Sequence, residues 1–397
     1  MQATVRSEPA LDTRELDSEA AGPETFLAPL RERMRIAVIH GGNKADPGSV
    51  VHTGYNARPW KSYQGVAEDI AAALGRLGFR HVMLMPDDIG LLDRLRRDNV
   101  HLAWLNTGGV QGYNPMAHAP AMLELAGIPY VGHDPLTVGT LDNKHQFKRD
   151  LVCLGLPTPP FITWHMSRGP LRPKMNSRFA RAFSGHWGPF IVKPVSGRAS
   201  LHVHVVEREE DLADAVADVF DATMNHVLIE GYLPGREFCV AACGRLVSHG
   251  RKLERRADPL VFSAVERVLA PDEQIVTSMD VKPITVDRVR ALDANVEGEL
   301  VATLGELARQ VYLDFNLETL VRLDLRADAA GKIHILEANP KPDLKAPSGR
   351  GTNLICAGLP SHGMDYDDLI LSLIADRLDY LLRHRRLAVR HLAELVG

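Results

Sequence analysis

The sequence lacks the features that would assign it to a membrane, secreted or zinc-binding class of protein. No apolar run reaches the roughly 18 residues that a membrane-spanning helix needs, and the polar N-terminus has no apolar signal core. The four cysteines, Cys153, Cys239, Cys243 and Cys356, are scattered without a Cys-x-x-Cys pair, so neither a zinc site nor a disulfide framework is indicated. We therefore expect a cytoplasmic protein, with Cys239 and Cys243 as buried free thiols.

Excess basic charge is also missing. The formal net charge is -4, and no basic stretch is interleaved with aromatic residues, which argues against a nucleic-acid partner. Hydrophobic residues make up 45% of the chain and charged residues 24%, which are ordinary values for a soluble globular protein. A chain of 397 residues is longer than one typical domain, so we expect two or three domains.

Apolar runs alternate with amphipathic stretches over residues 34–136, a pattern that predicts a layered domain of mostly parallel strands and helices. Residues 1–33 have few large apolar side chains and predict a mobile tail with a helical turn near residues 26–30. At the other end, residues 365–383 predict an amphipathic helix. This helix would pack either on the body of the protein or on a second copy of the chain, which leaves a homodimer open.

Two strand-like segments, residues 321–324 and 335–340, are separated by a short turn and predict a β-hairpin. Alternation of side chains along each strand would place on one face Arg322 and Asp324 of the first segment and Glu337 and Asn339 of the second. Two carboxylates and an amide oxygen suit a hard cation such as Mg2+, which completes its shell with water or phosphate. The alternative is a pair of cross-strand salt bridges on a solvated sheet face.

A second group of polar residues follows the pattern of a nucleotide site. Lys144 opens a predicted helix, and Lys193 ends a predicted strand that is followed by a loop of small residues, 195–200. Lysines neutralise phosphates as point charges, and the N–H groups of such a loop, with Ser200, can cover phosphate oxygens. Glu230 ends a strand whose backbone can bond an adenine edge, and Glu237 can accept from ribose hydroxyls. Taken singly, each residue has the simpler interpretation of an exposed surface charge.

In this order the motifs resemble those of the ATP-grasp enzymes, and most closely the D-alanine–D-alanine ligase branch. The resemblance covers most of residues 35–382, and the segments that carry it are 190–194, 228–240, 321–324 and 336–339. It implies an α/β ATP-grasp fold, in which a tail (1–33) precedes an N-terminal βα domain (34–136) and two α+β subdomains (137–228 and 229–397) that grip ATP between them. The implied activity is an ATP-dependent carboxylate–amine ligase that works through an acylphosphate and releases ADP and phosphate.

The resemblance also implies roles for individual residues. ATP would be bound by Lys144, Lys193, Ser200, Glu230, Leu233 and Glu237. Two Mg2+ ions, or Mn2+ in their place, would be bound by Asp324, Glu337 and Asn339. Arg322 would lie over the reacting carbonyl, where a fixed cation stabilises a tetrahedral oxyanion, and Lys193 and Ser200 would join it in catalysis.

The sequence departs from this family where the substrates bind. The first glycine-rich loop, residues 40–50, has no glutamate to receive the amino group of a first D-alanine. After Asn339 the family's Ser-Pro-Gly-Met is replaced by residues 341–344. These changes would bring Asp343 and Lys345 to the acceptor site, and Ser348 matches the serine that binds the acceptor carboxylate. Positive charge is added by Arg198, Lys341, Lys345 and Arg350.

We therefore expect small-molecule carboxylate and amine substrates other than plain D-alanine, one of which carries an extra carboxylate or is otherwise anionic. One alternative is a D-alanine–D-alanine ligase of peptidoglycan synthesis. Another is an inactive nucleotide-binding regulatory protein, which predicts a damaged metal site, whereas Asp324, Glu337 and Asn339 are all present.

Overall fold

The computed structural model describes residues 22–43, 45–46, 60–186, 188–197, 200–269, 286–348 and 352–397. Its first part is a layer of parallel strands and helices. Its strands are β1 (Arg35–His40), β2 (His81–Pro86), β3 (Leu102–Asn106) and β4 (Tyr130–Val131), all parallel and ordered β2-β1-β3-β4. Its helices are α1 (Glu24–Arg33), α2 (Gln64–Arg76), α3 (Leu91–Arg97) and α4 (His118–Ala126). The prediction of a layered parallel domain is confirmed.

The apolar run of β1 explains this layer. Residues 36–39 have no exposed surface, because helices cover both faces of the strand. Ile36 and Val38 pack into the core that contains α2, and Ala37 and Ile39 pack into a second core that contains α3 and α4. A strand buried on both faces has no polar alternation, which is why its sequence is a continuous apolar run.

Helix α1 lies inside the segment that the sequence predicts to be a mobile tail, and the structure differs from that prediction over residues 24–33. Leu27 and Leu30 are completely buried and join the core of α2. The sequence did not predict this helix because two leucines are too few to give the periodic apolar pattern of a helix that packs on a core. Helix α11 (Arg390–Val396), from the other end of the chain, contacts α1, so long-range packing orders this segment.

A second, antiparallel sheet contains β5 (Phe161–Trp164), β6 (Phe190–Pro194), β7 (His204–Val206) and β8 (Val227–Gly231), ordered β5-β8-β6-β7. The helices here are α5 (Pro135–Asp142), α6 (Lys144–Cys153), α7 (Ser177–Ala182) and α8 (Leu212–Thr223). Val192 and Ile229 pack into the core with α7 and α8, so their neighbours Lys193 and Glu230 point to the opposite face. The domain boundaries predicted at 136/137 and 228/229 fall inside α5 and β8.

A third sheet contains β9 (Glu237–Cys243), β12 (Leu260–Arg267), β13 (Val289–Ala291), β14 (Val321–Ala327) and β15 (Ile333–Asn339), ordered β13-β12-β9-β14-β15. A small hairpin, β10 (Leu246–His249) and β11 (Lys252–Arg255), and the helices α9 (Gly298–Asp314) and α10 (Tyr366–His384) complete this part. Helix α10 confirms the amphipathic helix predicted for residues 365–383 and begins with a capping box of Asp365 and Asp368. No helix in the described ranges is both long and apolar enough to cross a membrane.

Candidate active site

One cavity gathers most of the residues that the sequence singles out. Strands β6 and β8 line it on the side of the second sheet, and β14 and β15 line it on the side of the third. The predicted site residues in its lining are Lys144, Lys193, Ser200, Glu230, Leu233, Glu237, Arg322, Asp324, Glu337, Asn339 and Asp343. Lys345 and Ser348 are exposed and lie outside this lining.

The hairpin of β14 and β15 brings its four polar side chains together, as predicted. Arg322 lies opposite Asn339 across the two strands, and Asp324 lies opposite Glu337. The Asp324 carboxylate accepts two hydrogen bonds from the Arg322 guanidinium, at 2.7 and 2.9 Å, and one from the Asn339 amide at 3.3 Å. Asp324 is only 5% exposed, so the alternative of salt bridges on a solvated face does not describe this hairpin.

Cys239 on β9 supports the same carboxylate from the neighbouring strand. It is the cross-strand partner of Asp324, and its thiol donates to Asp324 Oδ1 over 3.3 Å. Burial, with the nearby Asp324 charge, raises the pKa of the Cys239 thiol, which keeps it protonated as a donor. The prediction that Cys239 is a buried free thiol is confirmed. Its contact with Asp324 depends on the pairing of β9 with β14, for which the sequence has no local signal.

Lys148, Lys193 and Glu230 form a buried charge cluster at the wall of the cavity. Lys148 Nζ lies 3.0 Å from one oxygen of Glu230, and Lys193 Nζ donates to the other. Burial lowers the pKa of Lys148 to about 8 although Glu230 opposes the shift. Burial also disfavours ionised Glu230, but the two lysines outweigh it and lower the pKa of this carboxyl. Lys148 was not predicted as a site residue, although it lies four residues after Lys144 and so on the same face of the helix.

Lys144 connects the second sheet's helices to the hairpin. Its Nζ lies 3.1 Å from a carboxylate oxygen of Glu337. Burial disfavours ionised Glu337, but Lys144 and Lys193 outweigh it and lower the pKa of this carboxyl. Lys144 is the first residue of α6, and its backbone N–H donates to the Val195 carbonyl over 3.0 Å. The start of this helix and the loop after β6 are therefore fixed to each other.

Glu237, at the start of β9, is bound by two arginines. Its carboxylate lies 3.0 Å from Arg267 at the end of β12 and 3.6 Å from Arg326 on β14. Burial raises the pKa of Glu237 above its ordinary value although both arginines oppose the shift. Both arginines also line the cavity. Neither arginine was predicted as a site residue, because both reach Glu237 only through the pairing of β9 with β12 and β14.

We call the residues on or next to the strands of the cavity the strand-built end: Lys144, Lys193, Glu230, Glu237, Arg322, Asp324, Glu337 and Asn339. Loops supply a second region of the lining, which we call the loop-built end: Lys61 and Tyr63 before α2, and Lys341 and Asp343 after β15. Lys341 Nζ lies 3.4 Å from the centre of the Tyr63 ring, and Lys61 Nζ lies 5.5 Å from the same centre. Lys61 and Tyr63 were not predicted as site residues.

The structure places the other proposed substrate residues elsewhere. Lys345 Nζ lies 2.8 Å from the Asp69 carboxylate and 3.0 Å from the Gly65 carbonyl, contacts that tie the segment after β15 to α2. Ser348 is exposed. Arg198 and Arg350, which the sequence analysis counted among the added positive charges, lie outside the described residues.

The donor types of the hairpin are those that a magnesium ion binds. Asp324 and Glu337 supply carboxylate oxygens and Asn339 supplies an amide oxygen, which are the hard ligands that Mg2+ prefers. Within the part of the chain that the structure describes, no group of three or more histidine, cysteine or acidic side chains is placed to hold a metal by itself. An ion at the hairpin would therefore need phosphate oxygens or water to complete its shell.

Solved structures with the same architecture identify the class of fold. The D-alanine–D-alanine ligase of Bacillus anthracis, solved in complex with ATP, is 19% identical and matches with a TM-score of 0.62, covering 89% of this chain and 99% of that one. The VanG D-Ala:D-Ser ligase of Enterococcus faecalis matches with a TM-score of 0.59 at 17% identity, covering 87% of this chain and 99% of that one. The chain has the α/β ATP-grasp fold, which confirms the predicted fold class.

Relatives in sequence indicate the family. The chain is 29% identical over 337 residues to the uncharacterized protein y4sG of Sinorhizobium fredii, covering 82% of this chain and 93% of that one. It is 27% identical over 346 residues to a D-alanine–D-alanine ligase of Halorhodospira halophila, covering 87% and 96%. The family model described as D-ala D-ala ligase C-terminus matches residues 151–375, more than half of the chain. The chain belongs to this family.

Proposed function

We propose that this chain is an ATP-dependent ligase that joins a carboxylate to an amine through an acylphosphate and releases ADP and phosphate. The observation that carries the proposal is that one cavity holds two lysines, the oxygen donors of the hairpin and the Arg322 guanidinium. Membership of a ligase family supports it, since the relatives include proteins named D-alanine–D-alanine ligase.

The chemistry explains why such a cavity is needed. An amine does not displace oxide from a free carboxylate, because oxide is a very poor leaving group. When the γ-phosphoryl group of ATP is transferred to the carboxylate, the C–O bond of the resulting acylphosphate breaks on amine attack and phosphate leaves. Phosphoryl transfer is catalysed mainly by positioning and by neutralisation of charge. The strand-built end offers both.

Lys144 and Lys193 are held in place before any ligand arrives. Glu337 orients the first and Glu230 orients the second. An ammonium group has three N–H donors, so each lysine can contact a phosphate oxygen while it keeps its carboxylate partner. Mg2+ ions bound at Asp324, Glu337 and Asn339 would supply further charge neutralisation at the bridging phosphate oxygens. Ser200, in the lining beside Lys193, would cover the phosphates.

Arg322 would stabilise the oxyanion that forms when the amine attacks. Its side chain is 11% exposed, and its Nε and one terminal nitrogen donate to Asp324. A guanidinium has five N–H donors, which leaves donors for a substrate oxygen. A fixed donor at such a position is worth roughly 3–4 kcal/mol in the transition state.

The nucleoside part of ATP would lie against the wall that connects β8 with β9. Leu233 is 9% exposed and offers apolar surface to a base, and Tyr232 lines the cavity next to it. Glu237 would accept from the ribose hydroxyls. Glu230 is bound between two lysines, so its role in ATP binding is to position them.

We further propose that the acid substrate differs from plain D-alanine. This proposal is supported by the sequence of the first glycine-rich loop, residues 40–50, which has no glutamate to receive the amino group of a first D-alanine. A D-alanine–D-alanine ligase is the second candidate, and the names of the relatives favour it. An inactive regulatory protein is the third candidate, and the complete donor set of the hairpin counts against it.

Release of ADP from Mg-ATP, measured with a panel of amino acids paired with one another, tests these candidates. We expect ADP release that requires two substrates, together with a product whose mass equals acid plus amine minus water. Preference for D-alanine pairs would favour the second candidate. The panel also includes cell extracts as a source of substrate. If the protein binds ATP but releases ADP with none of these substrates, the third candidate, an inactive regulatory protein, would be favoured.

A further inference from the structure

We infer that Thr158 is a positioning residue for Lys193, the lysine that the proposed function assigns to the phosphates of ATP. Its hydroxyl holds the buried pair of Lys148 and Glu230 from behind and joins this pair to strand β15, which carries Glu337. The inference rests on the proposed function for the ligand of Lys193. The chain of contacts that leads from Thr158 to Lys193 does not depend on that assignment.

The hydroxyl of Thr158 makes two hydrogen bonds with different parts of the chain. It accepts one from Lys148 Nζ over 2.8 Å and donates one to the Ile335 carbonyl over 2.9 Å. A hydroxyl is both a donor and an acceptor, so it can serve an ammonium group and a carbonyl at the same time. The pKa of Lys148, which burial lowers to about 8, leaves most of this lysine protonated at neutral pH and able to donate.

Lys148 can act on a ligand only through its neighbours. Its side chain has no exposed surface and lies outside the cavity lining, whereas Lys193 belongs to the lining. Lys148 Nζ lies 3.0 Å from one oxygen of Glu230, and the other oxygen of Glu230 accepts from Lys193. The contacts therefore lead from Thr158 behind the wall of the cavity, through Lys148 and Glu230, to the lysine at its surface.

The second partner of Thr158 belongs to an edge strand. Strand β15 is the last strand of the third sheet, so among the described strands none pairs with its outer side. At Ile335 the segment before β5 takes that place. The Ile335 N–H donates to the Pro157 carbonyl over 2.8 Å, and the Ile335 carbonyl accepts from the Thr158 hydroxyl.

The register of β15 changes beside this contact. Ile335 pairs with Leu325, whereas Glu337 pairs with Asp324. Leu336 is therefore an extra residue, and such a β-bulge bends its strand and re-aims the neighbouring side chains. The bonds to Ile335 fix one side of the bulge, and Glu337 lies on the other side. One hydroxyl thus helps to set the positions of the phosphate lysine and of a proposed metal ligand.

A simpler explanation is that Thr158 only attaches the segment before β5 to β15. The backbone bond from Ile335 to Pro157 already makes this attachment without a hydroxyl. A purely structural role predicts that loss of the hydroxyl lowers stability and leaves the affinity of the folded protein for phosphates unchanged. Thr223 provides a matched control, because its buried hydroxyl also donates to a backbone carbonyl, that of Val219, and lies outside the cavity lining.

The experiment uses calorimetry on the full chain, at neutral pH and with Mg2+, to measure the binding of a non-hydrolysable ATP analogue and of adenosine. Thr158→Val keeps the shape of the side chain and removes both hydrogen bonds of the hydroxyl. We expect this variant to bind the ATP analogue about 10-fold more weakly and adenosine with unchanged affinity, since Lys193 contacts only the phosphates. Thr158→Ser, which keeps the hydroxyl, should bind both ligands like the wild type, and so should Thr223→Val.

Lys148→Met provides a second variant, which decides the question if Thr158→Val does not fold. It interrupts the same contacts one step nearer to Glu230, so it should also weaken the ATP analogue and leave adenosine unchanged. When both changes are combined, the loss of affinity should be smaller than the two single losses added together, because both changes interrupt one chain of contacts.

Equal weakening of the ATP analogue and of adenosine would overturn the inference and assign Thr158 to the stability of the fold. Unchanged binding in Thr158→Val, additive losses in the double variant, or a loss in Thr158→Ser as large as in Thr158→Val would also overturn it. So would a wild type that does not bind the analogue. ADP release with pairs of amino acids tests the proposed function separately. If the analogue binds as expected and no pair releases ADP, the positioning role stands and the ligase proposal fails.

Discussion

At the strand-built end of the cavity, the charged groups form ion pairs within the protein: Lys144 with Glu337, Lys193 with Glu230, and Arg322 with Asp324. At the loop-built end, two lysines flank an aromatic ring. The first arrangement fixes the positions of its charges, which would suit the proposed ligand of invariant shape, the polyphosphate. The second lies on loops, where substitutions alter the ligand without disturbing a sheet. One cavity could therefore keep the proposed phosphoryl-transfer chemistry and still bind a substrate other than D-alanine.

The comparison also predicts how each end responds to substitution. Removing one partner of a buried ion pair leaves an uncompensated charge, which costs several kcal/mol more than losing the contact itself. Changes to the three ion pairs Lys144–Glu337, Lys193–Glu230 and Arg322–Asp324 should therefore affect chemistry and stability together. Changes at the loop-built end should affect substrate choice alone.

The largest effect is expected for Glu337→Ala. This change removes a proposed metal ligand and leaves Lys144 without its partner, so ADP formation should fall about 1,000-fold or more. Initial-rate assays of ADP release check this, with Glu299→Ala, an exposed position on α9, as the control. If ADP formation persisted in a folded Glu337→Ala protein, the proposed metal site would be wrong.

Arg322→Ala should lower kcat about 100-fold to 1,000-fold, because a fixed donor for the oxyanion is lost from the transition state. KM for ATP should change little, since Arg322 is not assigned to the nucleotide. Steady-state kinetics separate the two constants, and Arg322→Lys should recover part of kcat by restoring charge without the bidentate geometry. An effect on KM for ATP alone would instead assign Arg322 to nucleotide binding.

Lys148→Met tests the buried cluster through its pH dependence. The free energy of unfolding rises with pH wherever the unfolded chain binds more protons than the folded protein. Burial lowers the pKa of Lys148 from 10.5 to about 8. Between pH 8 and pH 10.5 the unfolded chain therefore binds a proton at Lys148 that the folded protein does not bind. Over this window the wild type should gain stability relative to the variant, by an amount on the order of 1–3 kcal/mol.

Denaturant unfolding at a series of pH values measures that difference, with Lys252→Met on the exposed surface of β11 as the control. The difference between wild type and Lys148→Met should be constant below pH 8. Parallel stability curves for the two proteins across pH 8 to 10.5 would show that Lys148 is not buried in this cluster.

The smallest effect is expected for Glu237→Gln. The amide keeps the size of the side chain and can still accept from a ribose hydroxyl, but it loses the charge that orients Arg267 and Arg326. KM for ATP should rise about 10-fold with little change in kcat, since one charge-assisted contact is weakened. Steady-state kinetics at varied ATP concentration test this prediction. The control variant is Glu254→Gln, which changes an exposed residue on β11. A fall in kcat without a change in KM would place Glu237 nearer the chemistry.

Much of the strand-built end was predictable from local patterns. The alternation of β14 and β15 placed Arg322, Asp324, Glu337 and Asn339 on one face, and the structure pairs them as expected. Helix α1 was not predictable in this way, because Leu27 and Leu30 acquire their burial from α2 and α11. Lys345 and Ser348, which were expected at the acceptor site, lie outside the cavity lining. Lys345 instead contacts the Gly65 carbonyl of α2.

The sequence by itself determined the alternation of strands and helices, the hairpin and the type of donor set, since side-chain periodicity and turn residues are local properties. Tertiary structure alone decided that Cys239 reaches Asp324 and that Arg267 reaches Glu237. The pairing of β9 with its neighbours joins these residues, which are far apart in the chain. It also decided which added lysine enters the cavity. Lys341 meets Tyr63, and Lys345 meets Asp69 instead, because a loop's side-chain directions depend on what packs against it.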